Sequence, residues 1–251
     1  QIYLEEDSPT QALHCFRKAY SLSKSYSNIT PKKLQSQIAL LLGNTLDRLG
    51  HHLDARSILE EAYEQDKDQM ELAHAYARSL LNTKSPVDAL SVLEKTRKKT
   101  LDSIEINLDY AKACLATKSN LDEAKETLME ILEIHPDLAE AKALLAEAYE
   151  ANQEFDSSLQ VYKEALDSHL RENPDWLTRL SLGISKVYLK KNQPENAIAV
   201  LNSALQNTND EQEILKFLSK AYHAANLREK AIWAAKSVLD LNPIDEKNLD
   251  W

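Results

Sequence analysis

The chain has 251 residues, 43% of them hydrophobic, and its 30 basic and 40 acidic residues give a formal net charge of −10. That apolar content is enough for a packed core and excludes global disorder. The acidic balance excludes a nonspecific nucleic-acid binder, which needs a basic surface to release counterions.

Three glycines and seven prolines, among abundant Leu, Ala, Glu, Lys and Gln, point to long helices joined by short turns. No apolar run approaches the roughly 20 residues that a spanning helix needs. The densest stretch, Ile38 to Leu42, stops at Gly43 and Asn44, so no membrane insertion is expected. Cys15 and Cys114 are too few and too far apart for a disulfide framework or a thiolate metal site, and are read as small buried apolar residues. A reducing compartment fits, with the cytoplasm preferred, but nothing in the chain fixes its location. The chain starts at Gln1 rather than Met and reads as a trimmed fragment or processed chain.

Taken in order, the elements repeat. Residues 1–35 read as a partial repeat with an extended connection, in which Tyr3 is followed nine residues later by Ala12. The same large-then-small pair recurs as Leu46/Ala55 in window 36–69, Leu80/Ala89 in 70–104 and Leu115/Ala124 in 105–138. It continues as Tyr149/Ser158 in 139–177, Tyr188/Ala197 in 178–211 and Tyr222/Ala231 in 212–245. Residues 246–251 read as the start of a further helix or a tail. From Ala55 onward the small residues step by 34, 35, 34, 39 and 34, the period of a helical-hairpin array.

Packing gives the reason. Two helices approach to about 8–10 Å when one contributes a small side chain at the crossing, so the small residue belongs early in the second helix and the large one late in the first. Four positions after each small residue come Phe16, Leu59, Leu93, Leu128, Tyr162, Leu201 and Ala235, and three further on come Ala19, Ala62, Thr96, Ile131, Ala165, Ala204 and Val238. That is one face of an amphipathic helix. Pro9, Pro86 and Pro194 lie three residues before the small residue, where a missing N–H costs nothing, and Ser8 and Ser85 precede two of them as expected N-caps. Two connections are stretched, Ser21–Lys33 and Ser168–Trp176. Either reads as a loop or as a longer second helix, with Trp176 expected to pack.

The strings Ala39-x-x-Leu42-Gly43-x-x-Leu46 followed by Gly50, Ala55, Leu59 and Ala62, and Leu145-Ala146-x-x-Tyr149 followed by Phe155, Ser158, Tyr162 and Ala165, resemble the tetratricopeptide repeat. The resemblance covers nearly the whole chain. Lys112 departs from it, standing where the family prefers a small residue. What it implies is an all-α fold, a right-handed α-solenoid of stacked antiparallel helix pairs, with about six full repeats plus a partial N-terminal one. It also implies that the first helices line a concave, partner-binding groove.

No catalytic signature is present. The glycines Gly43, Gly50 and Gly183 form no phosphate loop, and there is no Gly-x-Ser-x-Gly or His-Glu-x-x-His. His51 and His52 sit at an expected inter-helix turn and read as exposed. No cofactor, no metal and no enzyme activity are therefore expected.

Positions 2, 5, 9, 12 and 13 of each window should face the groove with side chains free to bind. They include Asn44, Asp47, His74, Arg78, Ile106, Asp109, Ala113, Glu140, Ala143, Glu147 and Glu150. Toward the C-terminus they include Arg179, Lys186, Lys190, Glu213, Lys216 and Lys220. The candidate partner-binding residues are Asn44, Arg78, Arg179, Lys186, Lys190, Lys216 and Lys220. Five cations gathered in the C-terminal windows of an acidic chain point to an acidic peptide segment or a terminal carboxylate. The alternative is that these cations are solvated or pair with the acidic windows. Family members that clamp the acidic tail of heat-shock chaperones carry a Lys-x-x-x-Asn element. Here Asn44 matches one of its positions, but Leu40 stands at the Lys, and Asp109 and Ala113 hold the equivalent sites two repeats on, so that clamp is not expected. The expected function is a protein-interaction scaffold. The other reading is a regulatory or oligomerisation arm of a larger protein, self-associating through uncapped ends.

Overall fold

The computed structural model describes residues 9–99, 103–167, 173–208 and 210–241. Among them are thirteen α-helices and no strand. The chain divides into two compact units, residues 1–119 and 120–251, so the window 105–138 is shared between them.

The first unit holds α1 (Pro9–Ser25), α2 (Lys32–Arg48), α3 (His52–Gln65), α4 (Met70–Asn82), α5 (Pro86–Arg97) and α6 (Ile104–Thr117). The second holds α7 (Leu121–Ile134), α8 (Ala139–Ala151), α9 (Phe155–Asp167), α10 (Pro174–Lys190), α11 (Pro194–Leu205), α12 (Glu211–Ala224) and α13 (Arg228–Leu241). Within each unit every helix packs on the next in sequence. Alternate helices also touch: α2 with α4, α4 with α6, α8 with α10, and α10 with α12. These are the first helices of successive pairs, so each unit presents a face built from first helices alone.

The small residues sit where packing requires them. Ala55, Ala89, Ala124, Ser158 and Ala197 have no exposed surface, and Ala12 and Ala231 are buried. Ser158 substitutes for alanine at no polar cost because its Oγ donates to the carbonyl of Ala146 at 2.7 Å. The stripes that follow are buried too, from Leu59, Leu93, Leu128, Tyr162 and Leu201 to Ala62, Ile131, Ala165, Ala204 and Val238. Tyr3, Ser8, Pro243 and the 246–251 window lie outside the described residues.

The turns explain the nine-residue spacing. Backbone N–H groups of His51, Ser85, Glu154, Gln193 and Leu227 donate to the carbonyls of Leu46, Leu80, Tyr149, Tyr188 and Tyr222, at 2.8–2.9 Å. Each acceptor is the large residue of its pair. The residue just before each donor is left-handed: Gly50 at φ 78°, then Lys84, Gln153, Asn192 and Asn226 at φ 56–63°. This is a six-to-one helix-terminating motif, and four residues beyond its donor comes the small residue. The turn after α6 differs, with both Lys118 and Asn120 left-handed, which inserts one residue and moves the acceptor to Cys114.

Pro86, Pro174 and Pro194 each begin a helix, and α1 begins at Pro9. Ser85 occupies its N-cap position without capping. Its Oγ accepts instead from Arg56 Nη1 at 2.8 Å, linking α3 to the start of α5. Real side-chain caps come from Ser103, Asn173 and Asp210. In the first stretched connection α1 runs on to Ser25, the longer second helix of one reading. The starts of α2 and α10 also gain a turn, each of these helices being 17 residues long. Part of the second stretch, 168–172, lies outside the described residues. Trp176 is half-buried against the core of the second unit.

Two smaller expectations are corrected. Cys15 is exposed, while Cys114 is buried, because α1 packs through Leu13, Phe16 and Tyr20 and Cys15 flanks the Ala12–Phe16 stripe on the other edge. His52 is not a free turn residue: it is half-buried, with Nδ1 3.0 Å from Asp47 Oδ1.

Candidate partner-binding surface

The face built from first helices carries the predicted site residues, but many are not free. In the first unit Arg78 Nη2 donates to Asn44 Oδ1 at 2.8 Å. Both side chains come from the same position in successive repeats, 34 residues apart. One step along, His74 Nε2 lies 2.9 Å from Asp109 Oδ2 across a separation of 35 residues, and Lys112 Nζ donates to Asp109 Oδ1 at 2.8 Å. Ile106, Asp109, Ala113 and Ala143, expected to face a partner, are buried. First helices lie close enough that these positions pack on or bond to their equivalents one repeat away.

Burial alone would push the Asp109 carboxyl up. Its hydrogen bond from His74, followed by the charge of Lys112, outweighs that and holds it below the ordinary aspartate value.

In the second unit α8 carries acidic positions and α10 and α12 carry basic ones. Arg179 Nη2 bonds Glu147 Oε1 at 3.1 Å and its guanidinium lies 5.2 Å from the Trp176 ring centre. Lys190 Nζ reaches Glu150 Oε1 at 2.8 Å. Lys216 lies 3.6 Å from Glu213 on its own helix. These three cations pair with carboxylates of the first helices.

Lys186 and Lys220 differ. Both are exposed, and neither makes an ion pair among the described residues. Their ammonium groups sit 5.4 and 4.9 Å from the centre of one aromatic ring, Phe217. An aromatic ring at these distances attracts both ammonium groups through its electron-rich face. Lys186 also borders a cleft of about 370 Å³ lined by Glu147, Glu150, Tyr162, Arg179 and Gly183. Gly183 is required there, since a Cβ on it would come 2.4 Å from Tyr162 Cζ.

Sequence reasoning missed Phe217 and assigned Tyr162 to the core stripe alone. Phe217 stands three residues before Lys220 on one helix, a spacing that brings side chains together, so half of that arrangement was available. The Lys186 contact joins two helices and was not. Among the described residues no group of three or more His, Cys, Asp or Glu is placed to hold a metal, and no helix is long and apolar enough to cross a membrane.

Paired helices, small-residue crossings and a polar face made of first helices define a helical-repeat protein of α-solenoid type. Residues 87–148 match the family model described as Tetratricopeptide repeat. Solved structures of the same fold are similar over most of the chain. A tetratricopeptide repeat protein from Parabacteroides merdae is 14% identical, with a TM-score of 0.77, covering 98% of this chain and 91% of that one. PilW, a type IV pilus biogenesis factor, is 16% identical, with a TM-score of 0.69 and coverage of 85% and 96%. Pseudomonas aeruginosa PilF is 15% identical, with a TM-score of 0.60 and coverage of 86% and 96%. At these identities the likeness shows the fold alone. No protein of curated function matches this sequence. Residues 87–148 thus carry the tetratricopeptide-repeat match and the chain has the fold of tetratricopeptide-repeat proteins, a fold that generally mediates protein–protein interaction and is typically a non-enzymatic scaffold.

Proposed function

We propose that the chain is a non-enzymatic scaffold that holds an extended protein segment on its first-helix face, with acidic groups of that segment docked at Lys186 and Lys220. The observation that carries this reading is the pair of exposed ammonium groups at one Phe217 ring, in an acidic chain whose other C-terminal groove cations, Arg179, Lys190 and Lys216, are already engaged. Arg78 and Asn44 satisfy each other and act in this reading as a structural rung rather than as contacts.

The test uses labelled, capped peptide pools that differ only in Glu against Gln at two adjacent positions. The Glu pools bind more tightly at low salt, and Lys186→Glu with Lys220→Glu removes about tenfold of affinity, equivalent to about 1.4 kcal/mol. The gap shrinks as salt rises. Equal binding of Glu and Gln pools would remove the acidic-partner reading.

A second reading, an oligomerisation arm, draws on α13, where Ile232 and Trp233 are more than half exposed. The equivalents of Ile232 in two earlier hairpins, Arg56 and Lys125, instead reach the following hairpin, at Ser85 and Glu154. A dimer in solution whose mass falls with Trp233→Glu supports self-association through this face. A monomer at all concentrations counts against it.

A further inference from the structure

We infer that the cleft over Tyr162 receives a basic side chain, lysine or arginine, from the same extended partner. This rests on the scaffold reading and adds a second, oppositely charged contact to it.

Tyr162 is unusual among the buried stripe residues. Its side chain is 2% exposed, and its ring is wedged against the backbone of Gly183, at a distance that a glycine alone permits. Yet it lines the cleft, and among the described residues its hydroxyl makes no hydrogen bond. The other buried stripe hydroxyl of this kind, on Thr96, bonds the carbonyl of Val92 at 2.8 Å. The Tyr162 hydroxyl is left to the open cleft, where solvent or a ligand group meets it.

The charge around it selects the ligand. Burial raises the Tyr162 phenol above the ordinary tyrosine value, and Glu147 and Glu150 raise it further, against Arg179. The phenol therefore stays protonated in a negative field. Asp175 and Asp210 add two more carboxylates to the lining. Against the four carboxylates stand three cations: Arg179 is held by Glu147, Lys190 by Glu150, and Lys186 lies near the Phe217 ring. An incoming anion would meet four carboxylates. An incoming ammonium or guanidinium can donate to the Tyr162 oxygen and to Glu147 or Glu150, and it gains from the field. The volume suits one long side chain. Lys186 marks the boundary with the acidic-group site, so the partner would carry a basic residue close to an acidic one.

The experiment fixes the acidic pair in capped octapeptide pools and places arginine, its neutral isostere citrulline, leucine or aspartate at each other position in turn. Binding is followed by fluorescence anisotropy on the full chain, on Tyr162→Phe and on Glu150→Gln. At one position the arginine pool binds about tenfold more tightly than the citrulline pool. That gap closes in both variants while their thermal melts match the parent. If Tyr162→Phe fails to fold, Glu150→Gln, at the edge of the cleft, decides alone. Equal binding of arginine and citrulline pools, with the Glu-over-Gln preference intact, overturns this inference and leaves the scaffold reading standing. Binding by no pool at all removes both.

Discussion

Replacing Asp109 with alanine lowers the stability of the chain by about 3 kcal/mol at neutral pH, the scale for removing one member of a buried, hydrogen-bonded charge pair. Asp109 is 5% exposed and ties His74 of α4 and Lys112 of its own α6 to its two oxygens. Deleting it leaves the His74 ring facing a hole. Urea unfolding at pH 7 measures the loss, and a change under about 1 kcal/mol would mean that the carboxylate is merely tolerated.

The same group predicts a pH dependence. The folded-state pKa is depressed below the value of about 3.9 expected for the unfolded chain, against the opposing effect of burial, by His74 and then Lys112. The stability it contributes is therefore fully present above about pH 4. It is lost as pH falls through the folded-state value. The unaltered chain should lose stability on acidification from pH 5 to pH 2 more steeply than Asp109→Asn, which has no proton to take up at that site. Parallel profiles would show that other carboxylates carry the acid limb.

The second large effect concerns helix approach. Ala197 has no exposed surface and packs with Leu201 and Tyr188 in the core of the second unit. Tryptophan there overfills the α10–α11 crossing and costs about 1–3 kcal/mol. Two residues away, Ala199 is exposed, and tryptophan at that position should move the melting temperature little. Thermal and urea unfolding of the two variants side by side separates overpacking from the general effect of a large aromatic. Equal melting temperatures would refute the crossing geometry.

The periodic part of the fold was legible because short side chains must recur wherever two helices cross. Ala55, Ala89, Ala124, Ser158 and Ala197 are all without exposed surface, and the spacing alone places them. The starts of α2 and α10 were missed by one turn, although Pro31 and Pro174 marked them. The reading tied prolines to second helices and did not extend the rule to first ones. The side-chain pairing on the first-helix face was read least well. Counting positions within one window treats each first helix as if it stood alone, so Asn44 and Arg78 looked free. Compared one period apart, they are neighbours, as are His74 and Asp109. Glu147 and Arg179 meet at a separation of 32 residues, which matches no repeat step, so comparing equivalent positions does not find them. Lys186 at Phe217 depends on side-chain direction across two helices, which no spacing encodes.

The left-handed turn residues carry one more implication. Gly50 adopts its conformation freely, but Lys84, Gln153, Asn192 and Asn226 hold the same geometry with a Cβ in the way, a steric burden of about 1 kcal/mol each. The burden falls at exposed corners, one residue in each of these hairpins and two, Lys118 and Asn120, in the turn after α6. Because neighbouring modules in such arrays interact pairwise, each corner is a separate adjustment point. Local opening of one hairpin can be tuned there without touching the residues that would grip a partner.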